Sequence, residues 1–163
     1  MELKKPRMLI VGLGNPILGD DGVGWKIAEQ VKRQIDPELA IDVDCASLGG
    51  ISLMERLIGY EEAILIDAFS LDASEGSISV FKLGQLPNYS AFHITSPHDT
   101  SLQNAIELGK SMGAQLPEDV TVVGVATQHV YDFSEELSPP VERAVPSAAQ
   151  IVLDLLKEKM STH

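Results

Sequence analysis

Two kinds of side chain with affinity for metal ions stand at the ends of apolar runs in this chain. Asp20 and Asp21 follow the run Met8–Leu13, Asp67 ends the run Ala63–Asp67, and His98 lies in the segment Ser96-Pro97-His98-Asp99. Two carboxylates and an imidazole bind a divalent transition metal well. Imidazole suits nickel, zinc, copper or iron, and carboxylates add charge and hard oxygen donors. Three protein ligands would leave positions open for a substrate or a water.

Each residue also has a plainer reading. Asp21 would serve equally as a helix cap, and His98 as an ordinary first-turn residue. Asp67 could be a turn residue, although an acid ending an otherwise apolar strand favours function. His93 and His129 read as bystanders, with His129 kept as a further candidate for the site. Asn15 is expected to fix its turn by bonding local backbone.

Other chemistries lack their signatures. Gly12-Leu13-Gly14 invites a dinucleotide-binding reading, but the third glycine of that fingerprint would fall at Ile17. Asp20 and Asp21 would also repel a pyrophosphate that needs bare amides. There is no Walker lysine, no His-Glu-x-x-His helix and no Gly-x-Ser-x-Gly elbow. Cys45, the single cysteine, falls within an expected strand and reads as core rather than nucleophile.

The elements that must position these residues follow from periodicity. Met8–Leu13 is a short continuous apolar run, as in a strand buried on both faces. Val23, Ile27, Ala28, Val31 and Ile35 recur at helical spacing, and Pro37 closes that helix. Ile41–Ala46 alternates Ile41, Val43 and Cys45 against Asp42 and Asp44, as a strand does. A short helix is expected over Ile51–Ile58, a buried strand over Ala63–Asp67 and an edge strand over Ser77–Leu83. Gly84–Thr95 reads as a loop, and Ser96-Pro97-His98-Asp99 as a helix entrance with Ser96 capping and Pro97 in the first turn. That helix would bury Leu102, Ala105, Ile106 and Leu108, with Gly109 and Gly113 weakening its end. Val120–Val125 is the last strand. Pro139–Lys159 holds a helix with Ala148, Ile151, Val152 and Leu155 as its core stripe.

Alternating strands and helices imply an α/β three-layer sandwich: a mostly parallel, twisted sheet of about five strands with helices on both faces. Residues 1–163 read as one domain, since no linker or repeat interrupts them. Hydrophobic residues at 44% suffice for a buried core, and 22% charged residues is ordinary. The net charge of −12 argues against nucleic acid and against anionic membrane surfaces. The basic residues ahead of Met8 precede a run broken by Gly12, Gly14 and Pro16, so they do not read as a signal peptide. No apolar segment reaches membrane-helix length. A lone cysteine suits a reducing compartment. A soluble, cytoplasmic protein is expected.

The segment Gly12-Leu13-Gly14-Asn15-Pro16-Ile17-Leu18-Gly19-Asp20-Asp21-Gly22-Val23-Gly24 resembles the N-terminal signature of the hydrogenase maturation endopeptidases. Leu65-Ile66-Asp67-Ala68, Ser96-Pro97-His98-Asp99 and Leu137-Ser138-Pro139-Pro140-Val141 follow in the order that family shows, so the resemblance spans nearly the whole chain. It implies a peptidase that trims the C-terminal extension of a nickel-loaded NiFe hydrogenase large-subunit precursor. It also implies a nickel-recognising site made by Asp21, Asp67 and His98. The nickel would come with the precursor, with no organic cofactor, and the enzyme would act as a monomer. Ala126–Phe133 departs from the Glu-Pro-containing segment that many members carry there, which bears on partner identity more than on reaction type. Two other functions use the same three ligands: a non-cleaving nickel-checkpoint binding module, and a small-molecule metallohydrolase.

Overall fold

Six consecutive apolar residues offer water no polar face, and all of Met8–Leu13 is buried. In the computed structural model, which describes residues 8–70, 73–86, 101–128 and 132–161, this segment is β1. A 3-10 turn (Gly19–Gly22), α1 (Val23–Gln34), β2 (Ile41–Ala46), α2 (Gly50–Leu57) and β3 (Glu62–Phe69) follow. After them come β4 (Ile78–Lys82), α3 (Leu102–Ser111), β5 (Asp119–Ala126) and α4 (Pro139–Ser161). The strands form one sheet in the order β2-β1-β3-β5-β4. β2, β1, β3 and β5 are parallel, and β4 is an antiparallel edge.

Two apolar layers cover this sheet, as the alternation of strands and helices predicts. On one face Ile10, Ile64, Ile66 and Val123 pack with Val23, Ile27 and Val31 of α1 and with Ala148, Val152 and Leu156 of α4. On the other, Leu9, Val11, Leu65 and Val122 pack with Leu53 and Leu57 of α2 and with Leu102, Ala105 and Ile106 of α3. β2 keeps the expected alternation. Ile41, Val43 and Cys45 lean on the first layer, while Asp42 accepts from the Tyr60 hydroxyl at 2.5 Å and Asp44 pairs with Arg56.

Two expectations need correction. β3 does not end on Asp67 but continues to Phe69, because β5 keeps pairing with it: Asp67 faces Gly124 and Phe69 faces Ala126. Leu108 is exposed rather than core. With α3 starting at Leu102, the buried positions are 102, 105, 106 and 109, and Gly109 fills the last of them. A Cβ on Gly109 would lie 2.8 Å from Met54 Sδ. The helix cap expected at Ser96 lies outside the described residues; within them α3 is capped by Ser101, whose Oγ accepts from the Asn104 amide at 3.2 Å.

At the start of α1 the packing is backbone on backbone. A Cβ on Gly24 would lie 2.4 Å from both the Leu13 and the Ile66 carbonyl oxygens, and one on Gly12 would lie 2.3 Å from the Gly24 carbonyl oxygen. The first turn of α1 therefore rests directly on the ends of β1 and β3, which no residue with a side chain allows. The Gly-rich motif serves this contact. Gly24→Ala is expected to destabilise the protein by about 3 kcal/mol, as forced overpacking of a tight contact does, visible as a lower urea midpoint at unchanged slope.

Candidate active site

Where β1 leaves the sheet, the chain winds around Asp21. Gly14, at φ +134°, lets the peptide of Asp21 approach so closely that a Cβ there would sit 1.9 Å from the Asp21 carbonyl oxygen. The Asn15 amide donates to Asp21 Oδ2 at 2.8 Å, and Asn15 Oδ1 accepts from the Ile17 amide at 3.1 Å, the local turn bond expected of it. Asp21 is fully buried, and its Oδ1 has no hydrogen-bond partner among the described residues. Burial pushes its pKa up from 3.8 to about 6, opposed only by the Asn15 amide. The helix-cap reading of Asp21 fails. Its carboxylate takes the Asn15 amide, and the residue before α1, Gly22, makes no side-chain cap.

Asp67 is also fully buried, with Oδ1 accepting from its neighbour Ala68's amide at 2.9 Å. The last β1–β3 pair is Gly12 with Ile66, so Asp67 stands one residue past the point where β1 departs. Strand order fixes what this means. From β1 the chain crosses outward to β2, then returns to β3 on β1's other side. The gap above β1 and β3 is thus a topological switch point, where open α/β sheets hold their ligands. The 3-10 turn carrying Asp21 packs on β3, so both acids stand at that switch point.

Asp20 does something different from its neighbour. Its Oδ2 accepts from Thr127 Oγ1 at 2.5 Å and Ser138 Oγ at 2.7 Å, and its Oδ1 accepts from the Ser138 amide at 2.7 Å. Thr127 lies in no motif of the sequence, and Ser138, though within the Leu137–Val141 motif, gives no sign there of the acid it meets. Each is an ordinary hydroxyl residue, more than a hundred positions from the acid it meets.

His98 lies outside the described residues, as do His93 and His129. Among the described residues, no three His, Cys, Asp or Glu side chains form a group able to hold a metal ion. α3 ends near the amino edge of the sheet, where the Gly59 amide bonds the Gln115 carbonyl ahead of β5. Its Ser101-capped start therefore points toward the carboxyl ends of the strands. Cys45 is half-buried with its thiol toward the Trp25 carbonyl; burial pushes the thiol pKa up, Glu29 adds to this and Lys32 opposes it. A thiol held protonated is a poor nucleophile.

A family model described as HycI, hydrogenase maturation protease, matches residues 25–155. The chain belongs to the hydrogenase maturation protease family. This makes it a member of a peptidase family, as its ordered motifs imply. The match takes in Asp67 and begins four residues after Asp21. The chain is similar to the hydrogenase maturating endopeptidase HybD of E. coli, with TM-score 0.77 and 25% identity, covering 94% of this chain and 93% of that one. It also resembles a hydrogenase 2 maturation peptidase from a Thaumarchaeota archaeon, with TM-score 0.64, 29% identity and coverage of 92% and 97%. The hydrogenase expression/formation protein HupD of Rhizobium leguminosarum bv. viciae is 23% identical over 152 residues, 93% of this chain and 75% of the relative. Among the described residues, no helix is long and apolar enough to cross a membrane.

The raised pKa of Asp21 has a stability consequence with a definite sign. Below the unfolded value of 3.8 both states hold the proton and burial of the carboxyl is tolerated. As pH rises through about 6 the folded state must bury the charge, and stability falls. At about 1.4 kcal/mol per pKa unit, the stability of Asp21→Asn relative to the parent should improve by up to about 3 kcal/mol between about pH 4 and about pH 7.5. Urea unfolding at the two pH values measures it.

Proposed function

We propose that this protein is the endopeptidase that removes the C-terminal extension from a nickel-loaded NiFe hydrogenase large-subunit precursor, acting as a cytoplasmic monomer. One observation supports the reading within a peptidase family: the buried Asp21 carboxylate keeps an oxygen with no partner among the described residues, at the switch point where Asp67 also stands. A buried carboxylate with a bare oxygen is costly to hold in a folded chain. A cation brought to it by another protein would supply the missing partner.

In this reading the nickel belongs to the substrate. Asp21, Asp67 and His98 complete its coordination, His98 being carried by the family motif and lying three residues before the Ser101 cap of α3. Gripping a metal that the precursor already holds orients the scissile peptide by proximity, and a divalent ion of this kind polarises a carbonyl or acidifies a water. Asp21 must be ionised to take part, so its raised pKa makes the grip pH-dependent.

Co-expression with the precursor, followed by mass measurement of the precursor's C-terminus, tests the proposal. Asp21→Ala, Asp67→Ala and His98→Ala should each lower trimming by about a hundredfold or more, and precursor prepared without nickel should stay untrimmed. With purified components, the rate should fall as pH drops below about 6, where Asp21 takes up its proton. Normal trimming by the three alanine variants would sink the mechanism. Binding of loaded precursor without peptide release would replace it with a checkpoint role, and tight metal binding by the isolated protein with a metallohydrolase.

A further inference from the structure

We propose that Asp20 is a positioning residue for Asp21: it clamps the 3-10 turn to the ends of β5 and β3, so that the open oxygen of Asp21 is held in place before any precursor arrives. This inference rests on the reading of Asp21 given above.

The clamp is specific in its connections. The Asp20 carboxylate, 1% exposed, takes three donors at 2.5–2.7 Å, one from Thr127 just past β5 and two from Ser138 at the entrance of α4. Thr127 is in turn tied to β3, its amide donating to the Phe69 carbonyl at 2.9 Å. A short path of covalent and hydrogen bonds thus runs from Asp21 through Asp20 and Thr127 to Phe69, two residues beyond Asp67. The outer side of the same loop is also secured. The Gly19 amide donates to the Ser134 carbonyl at 2.8 Å, and the Ser134 amide to the Ile17 carbonyl at 3.0 Å.

An ionised carboxylate is well suited to this place, because it accepts several donors at once and its charge shortens and strengthens each bond. Asp21, by contrast, is held through its side chain by one amide among the described residues. The residue before it, with three donors, therefore makes more of the bonds that hold the turn. Positioning of this kind matters when a group must meet a reacting centre at a set distance, since a displacement of about 1 Å can lower a rate about a hundredfold.

The test separates positioning from simple stabilisation of the fold. Affinities for purified precursor, with and without nickel, are measured for the parent, Asp20→Ala, Thr127→Val and Thr127→Ser. A positioning role predicts that Asp20→Ala and Thr127→Val lose about tenfold or more of the preference for loaded precursor, with affinity for nickel-free precursor unchanged. Thr127→Ser, which keeps the hydroxyl donor, should retain the preference. Should Asp20→Ala not fold, Thr127→Val carries the test alone. Preference equal to the parent's in the variants that fold, or equal weakening toward both precursors, would overturn the positioning role while leaving the proposed function standing. A parent that does not distinguish the two precursors would remove the proposed function and this role with it.

Discussion

The site depends on one contact: the peptide backbone at the start of α1 lying against the ends of β1 and β3. Two glycines make it possible, Gly12 beneath and Gly24 above, with the Leu13 and Ile66 carbonyls on either side. A helix normally rides on a sheet through its side chains. Here the helix start is drawn in until main chain meets main chain, and the 3-10 turn before it is brought down onto the strand ends. Asp20 and Asp21 are buried as a result, although they belong to a connecting loop. Loops usually stay at the surface because their polar groups need water, so burying this one requires specific partners for each group.

How those partners are shared out distinguishes the two neighbouring acids. Asp20 receives three donors and is fully accounted for. Asp21 receives one, and keeps an oxygen with none among the described residues. Native proteins satisfy nearly all buried polar atoms, so an exception asks for an explanation. A carboxylate kept under-satisfied and hard to ionise is a source of instability, and such sites commonly trade stability for activity. Burial raises the pKa of Asp21, and the same burial leaves one of its oxygens without a partner among the described residues.

The opposite end of the sheet handles acids differently. Lys159 and Lys82 both reach Asp119, at 2.5 Å and 2.8 Å, and although burial works to raise its pKa, the two cations hold it below the usual value. That arrangement compensates its charge and leaves nothing for a ligand to complete. Asp21 has no lysine or arginine beside it among the described ion pairs. The amino end of the sheet thus pairs Asp119 with cations, and Asp21 at the carboxyl end has none among the described ion pairs.

Periodicity within the chain was enough to locate the strands and helices, to assign β4 to an edge and to sort most apolar residues into core. Burial of a single strand or helix leaves a repeat of two or of about 3.6 that can be counted locally. The motif order likewise marked the family as a maturation protease. Local spacing fails where partners are remote. Leu108 was misplaced because α3 turns positions 102, 105, 106 and 109 toward the sheet, and Asp67 was put at a strand tip because β5 pairing extends β3 by two residues. Which strands adjoin, and hence the crevice between β1 and β3, was decided by packing across the whole chain. The different fates of Asp20 and Asp21 were decided there too, because the groups that satisfy Asp20 lie 107 and 118 residues away in sequence, and no count of nearby residues can register a hydrogen bond made across that distance.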